Sequence, residues 1–142
     1  MTYASVVFDL VERSPEVKAH LPDHMSLDEM GGYDAFPCLI DLLKVAVEAG
    51  RGTEVAGICA FIEEVALSGK RDLDLASLVR IELGEKLGWM EHEERLAPHL
   101  GEETKRICGY VPGLATQRLV PRREREALTL GQRLLRMLRR EE

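Results

Sequence analysis

The side chains of this chain that could carry a reaction are four histidines, three cysteines and several neighbouring carboxylates. His20 and His24 stand i, i+4, the spacing of two metal ligands on one helix face. Pro22 lies between them and breaks such a turn, and no third ligand or HExxH pattern accompanies them. His92 and His99 bound the segment HEERLAPH, where Pro98 interrupts any shared face. Both pairs are expected as surface histidines, so no metal and no other cofactor is expected. Cys38 and Cys59 fall at positions predicted to face a core, where a thiol behaves as a small hydrophobe. Cys108 follows Lys105 and Arg106, whose charge favours a thiolate, but no nucleophile motif surrounds it. The carboxylate pairs Glu63-Glu64, Glu91/Glu94 and Glu102-Glu103 could suggest acid–base work. Adjacent glutamates diverge on a helix, so Glu63-Glu64 makes a poor dyad, and solvated helix faces account for all three pairs. No GxxxxGK[ST], GxGxxG or GxSxG pattern occurs, which removes support for phosphate-loop and serine-hydrolase chemistry. The expectation is a chain with no catalytic residue, not an enzyme.

Charge is the sharper signal. Net charge is −6 over 142 residues, but residues 117–142 hold eight arginines against four glutamates, a net of +4. The rest of the chain carries 11 basic and 21 acidic side chains, a net of −10. An acidic body with a basic end allows three readings. The arginines could bind nucleic acid through phosphates, though no aromatic residues are interleaved with them. They could dock onto an acidic surface, that of the chain's own body or of a second copy. They could lie on a membrane surface, which ranks last. An apolar stripe beside the arginines favours docking, because a helix with an apolar face needs a place to bury it.

The elements that would position these groups read as helices. Phe36, Leu39, Ile40, Leu43, Ala46 and Val47 recur at helical spacing, and so do Val55, Ile58, Cys59, Ile62, Val65 and Ala66. Asp34 is expected to cap the first of these helices, with Pro37 in its first turn. Gly50 and Gly52 separate the two, Thr53 caps the second and Gly69 ends it. So short a break makes them antiparallel neighbours, and Ile62 marks the predicted centre of the core. Earlier, residues 3–13 form a short helix, and Ser14-Pro15 opens another that ends near His20. Gly31-Gly32 is expected to break the chain. Later, LDLASLVRIELGEKLG forms one helix closed by Gly88. An acidic helix over 91–100 ends near Pro98, and a further turn or two carries Ile107, Cys108 and Tyr110. Residues 112–121 hold Pro112, Gly113 and Pro121 and read as a linker. Residues 122–142 read as a long amphipathic helix, with Ala127, Leu130, Leu134, Met137 and Leu138 in one stripe.

Composition agrees with this. The chain is 45% apolar and only 5% aromatic, rich in Leu, Ala, Glu and Arg, which favours helix over sheet. No apolar run reaches the length of a membrane span. The opening MTYASVVFDLVERSPE lacks a basic n-region, and three widely spaced cysteines suit a reducing compartment, so a cytoplasmic location is expected. The predicted fold is all-α: stacked antiparallel helix hairpins, HEAT-like or an irregular bundle, over 1–111, followed by the linker and the arginine-rich helix.

Within residues 33–87, the segments DLLKVAVEAG, FIEEVALSG and VRIELGEKLG resemble a family of small all-helical, HEAT-like bacterial proteins, similar to the immunity proteins encoded beside toxins. The resemblance does not extend to the arginine-rich helix and supplies no catalytic residue. It implies a protein-interaction module that occludes a toxin. Many toxins that attack nucleic acid are basic at the active site, which an acidic body complements. Glu63, Glu64, Glu91, Glu93 and Glu94 are then candidate contacts on the body. Arg122, Arg123, Arg125, Arg133 and Arg136 are candidate contacts of the basic helix, with a homodimer through that helix as one arrangement. The alternative is a nucleic-acid-associated regulator using the same arginines.

Overall fold

The structure is a computed structural model that describes residues 1–88 and 90–110. The predicted linker, 112–121, and the predicted C-terminal helix with Arg122, Arg123, Arg125, Arg133 and Arg136 lie outside the described residues. Every regular element among the described residues is helical, with no strand. None of these helices is long and apolar enough to cross a membrane.

Helix α1 (Val6–Arg13) buries Val6, Val7 and Leu10 on one face. It starts at Val6, where the apolar pattern begins, rather than at the predicted residue 3; residues 3–5 form a turn, and the Tyr3 N–H donates to Asp72 Oδ2 at 2.8 Å. A 3₁₀ helix (Pro15–His20) follows with proline in its first position. It holds one buried anchor, Val17, too little apolar surface for a longer element.

Helix α2 (Gly32–Glu48) begins well ahead of Phe36. Gly31-Gly32 does not break the chain there; it starts the helix. Asp34 is three residues inside rather than at the cap, and its carboxylate accepts the Gly31 N–H at 2.9 Å. That is the reach-back half of a capping box. Gly32 is needed for contact: a β-carbon built on it would lie 2.7 Å from Leu78 Cδ2 and 3.0 Å from a Tyr3 ring carbon.

After a turn through Gly50, whose φ is +71°, helix α3 (Gly52–Ser68) runs back along α2. It begins at Gly52, so Thr53 is already helical, and Arg51 occupies the cap position without a side-chain bond. The ring of Phe36, near the start of α2, lies 6.4 Å from that of Phe61 in α3. The Arg95 guanidinium donates to the Val47 and Glu48 carbonyls at 3.4 and 3.3 Å. It thereby adds donors at the C-terminal end of α2, where helix carbonyls lack their full intrahelical partners.

The next run is helical throughout but not uniform. Helix α4 (Leu73–Val79) passes through a π-helical turn (Arg80–Gly84) into α5 (Glu85–Leu87). The Cys108 thiol lies 3.9 Å from the carbonyl oxygen of Val79, the residue before the π turn. The predicted single acidic helix over 91–100 is instead a short α6 (Glu93–Leu96) and a 3₁₀ turn (Ala97–His99). Helix α7 (Glu102–Cys108) follows and ends on Gly109 at φ +62°.

Packing centres on α3, which touches α1, α2, α4 and α7. Its inward residues Val55, Cys59, Phe61, Ile62, Val65 and Ala66 are buried against those of α2 and its other neighbours, each large apolar side chain contributing about 1.5–3 kcal/mol.

Candidate interaction groove along helix α3

The side of α3 that is not buried presents Thr53, Gly57, Ala60, Glu64 and Leu67. These recur at three- and four-residue steps and so make one stripe down the whole helix. Two of the five are small enough to leave space: a β-carbon added to Gly57 would meet nothing within 4 Å.

Three open clefts lie end to end along this stripe. At the first turns of α3, Thr53, Gly57 and Ile58 face Ser14, Val17 and His20. Midway, Phe61, Glu64 and Leu67 face Asp9, Glu12 and Arg13 of α1. At the far end, Leu67 and Ser68 join Met1 and the turn that carries Lys70–Asp74. The last two clefts share Met1, Leu67 and Ser68, whereas the first has no lining residue in common with either. Together they follow α3 as an interrupted groove, with α3 as the floor and α1 and the 3₁₀ helix on one side.

Its far end exposes apolar side chains, Met1 at 40%, Leu67 at 48% and Leu73 at 77%, beside the charged Lys70, Arg71, Asp72 and Asp74. Contiguous apolar exposure of this kind marks contact surfaces. Its rim is charged. Arg13 and Glu64 pair across it at 2.6 Å with both side chains about half exposed, and Arg51 pairs with Glu54 at 3.2 Å at the α3 N-terminus. The Glu64 carboxylate raises the already high pKa of Arg13. Asp9, Glu12 and Glu16 line the α1 side and leave that wall predominantly acidic.

No family model, curated protein or solved structure matches this chain. Its function has to be read from its own residues.

The acidic candidates separate. Glu63, although adjacent to Glu64, faces α7. It accepts the Glu103 N–H at 2.8 Å, the Thr104 N–H at 3.3 Å and the Thr104 hydroxyl at 3.2 Å. Its carboxylate caps α7 in place of the missing side chain of Gly101, whose β-carbon, if present, would fall 1.7 Å from Glu63 Oε2. Glu93 is buried at the start of α6. Glu91 and Glu94 are exposed, with Glu94 Oε1 3.6 Å from His92 Nδ1. Glu64 alone of the five lines the groove.

The other candidate groups are equally dispersed. His24 stands exposed in the loop after the 3₁₀ helix, and His92 and His99 are exposed around α6. Among the described residues, no cluster of three or more His, Cys, Asp or Glu side chains is placed to hold a metal ion. Cys59 is buried, and loss of solvation pushes its thiol up to about 12, which disfavours a thiolate. Cys38, expected to face the core, is only partly buried; this partial burial, with Asp41 nearby, raises its thiol as well.

The groove itself is absent from the sequence reading. The available signal was the outward face of TEVAGICAFIEEVALSG, where threonine, glycine, alanine and leucine occupy positions that a solvated face would fill with charge.

Proposed function

We propose that this protein is a non-enzymatic protein-interaction module, and that its concrete form is immunity-like: the acidic helical body binds a bacterial toxin and covers the toxin's basic active surface. The observation that carries this reading is the row of open clefts along α3, with exposed Met1, Leu67 and Leu73 at one end and the acidic Asp9, Glu12 and Glu16 along one side. Apolar contact supplies affinity, and complementary charge supplies orientation and speed of encounter. Glu64 is the groove contact retained from the sequence. Glu91 and Glu94 are available on a separate exposed stretch. The architecture inferred for the whole chain is an irregular, HEAT-like stack of helix hairpins with the basic C-terminal helix added to it, acting in the cytoplasm.

The test is to express the chain with the product of each adjoining gene. One of those products should arrest growth alone, lose that effect in the presence of this chain and co-purify with it in fixed stoichiometry. If no adjoining product is both toxic and neutralised, the immunity reading fails. Tight binding of the full chain to duplex DNA at moderate salt would instead favour a nucleic-acid-associated regulator built on the C-terminal arginines.

A further inference from the structure

We propose that the cleft between the 3₁₀ helix and the first turns of α3 is the anchor site for a protein partner's segment, one that brings an aliphatic side chain with a lysine or arginine beside it. This deepens the proposed function and rests on the clefts along α3 being the docking surface. Two features of this one cleft specify the chemistry of its occupant.

The first is an aliphatic floor that the fold leaves partly uncovered. Val17 of the 3₁₀ helix, Leu42 of α2 and Ile58 of α3 line the cleft. Ile58 belongs to the apolar repeat of α3 yet is only partly buried, and so is Leu42. Gly57 lines the same cleft from the second turn of α3, a place where glycine is a poor helix former. Nothing among the described residues lies within 4 Å of a β-carbon built on it, so no contact there requires a glycine. Bare backbone at that point lets a second chain approach closely. The cleft measures about 540 Å³, room enough for a side chain and its neighbour. The second feature is charge. Of the charged side chains in the lining, Arg51 is already paired with Glu54 at 3.2 Å. That leaves Glu16, exposed and with no ion-pair partner among the described residues. The positive end of the α3 dipole would favour an anion, but it already has Glu54 in its first turn. A lone carboxylate beside an aliphatic floor is complemented by a cation next to an aliphatic group.

Amide NMR spectra of the isotope-labelled full chain test this with three blocked dipeptides as probes: leucyl-lysine, leucyl-glutamate and seryl-lysine. Leucyl-lysine should shift the amides of Thr53, Gly57 and Ile58 saturably. Leucyl-glutamate should bind about two- to fivefold more weakly, the worth of one exposed ion pair, and high salt should erase that difference. Seryl-lysine should give no saturable shift. Glu16→Lys, on an exposed side chain, should fold normally and reverse the order of the two leucyl peptides. Equal affinity for both leucyl peptides in the wild type overturns the charge preference, and equal binding of seryl-lysine overturns the aliphatic anchor. Absence of saturable shifts at these amides overturns the site. So do Overhauser contacts, without peptide, from Leu42 or Ile58 methyls to residues 111–142 or to a second copy. The peptides report on the cleft without any toxin. Their failure beside successful neutralisation would remove only this anchor, and their binding beside failed neutralisation would remove only the immunity reading.

Discussion

Glu63 shows how one carboxylate can be diverted from a surface role to a structural one. Its oxygens meet two N–H groups and one hydroxyl at the start of α7, where the helix dipole also favours negative charge. Glu63→Ala should cost about 1–2 kcal/mol, the usual worth of a helix cap. Gly101→Ala should cost a similar amount by evicting the same carboxylate. The double variant should then lose less than the two together; fully additive losses in urea unfolding would refute a shared contact. Glu103, in the same turn, receives Arg106 through Nε at 3.0 Å and through Nη2. The hydrogen bond from Arg106 holds its carboxyl below the ordinary range. With the folded-state pKa depressed, the stability it contributes is present above the unfolded value and lost as the pH falls below about 4.3 through the folded one. Glu103→Gln should therefore flatten the acid limb of the stability profile, and an unchanged limb would contradict this. The buried Cys59 thiol should resist alkylation in the native protein and react once urea unfolds it; rapid native labelling at Cys59 would place it wrongly.

At the scale of elements, α3 is both the centre of the core and the floor of the groove, and its two faces should respond differently to substitution. Ile62, fully buried, should lose about 2–5 kcal/mol as Ile62→Ala. Gly57→Ala points into open space and should stabilise by up to about 1 kcal/mol through helix propensity. Gly69→Ala should destabilise, because its β-carbon would lie 2.9 Å from the Ala76 nitrogen and from the Ala66 carbonyl. Thermal unfolding of the three variants checks the ordering. Helices with a strong apolar repeat were legible in the sequence: α2 formed with the predicted inward face, α3 did so except that Ile58 is only partly buried and Phe61 is buried in addition, and Pro15 and His20 bound the 3₁₀ helix as expected. The starts of helices were not. Asp34 acts from inside α2 because Gly31 can serve as cap, and Thr53 is bypassed because Arg51 takes that position. The π turn at Arg80–Gly84 and the contact of Gly84 with Cys108 depend on α7 packing against this run, a tertiary effect that no local pattern encodes. The candidate site was legible only in part. Glu64 was identified, but Glu63 and Glu93 carry the same sequence signal and differ only in what the fold places over them.

At the scale of the whole molecule, the proposed function rests on a surface: clefts that follow α3 over about four to five turns, with exposed apolar side chains at one end and acidic residues along one wall. The most direct measurement is calorimetric titration of the neutralised adjoining-gene product into the wild-type chain and into Gly57→Arg, with the melting temperature of each recorded. Gly57 has no neighbour for a β-carbon to strike, so the variant should melt with the wild type while the arginine fills the groove and lowers affinity at least about tenfold, a loss near 1.4 kcal/mol. Undiminished binding by a normally folded Gly57→Arg would contradict the claim that the partner is held along α3.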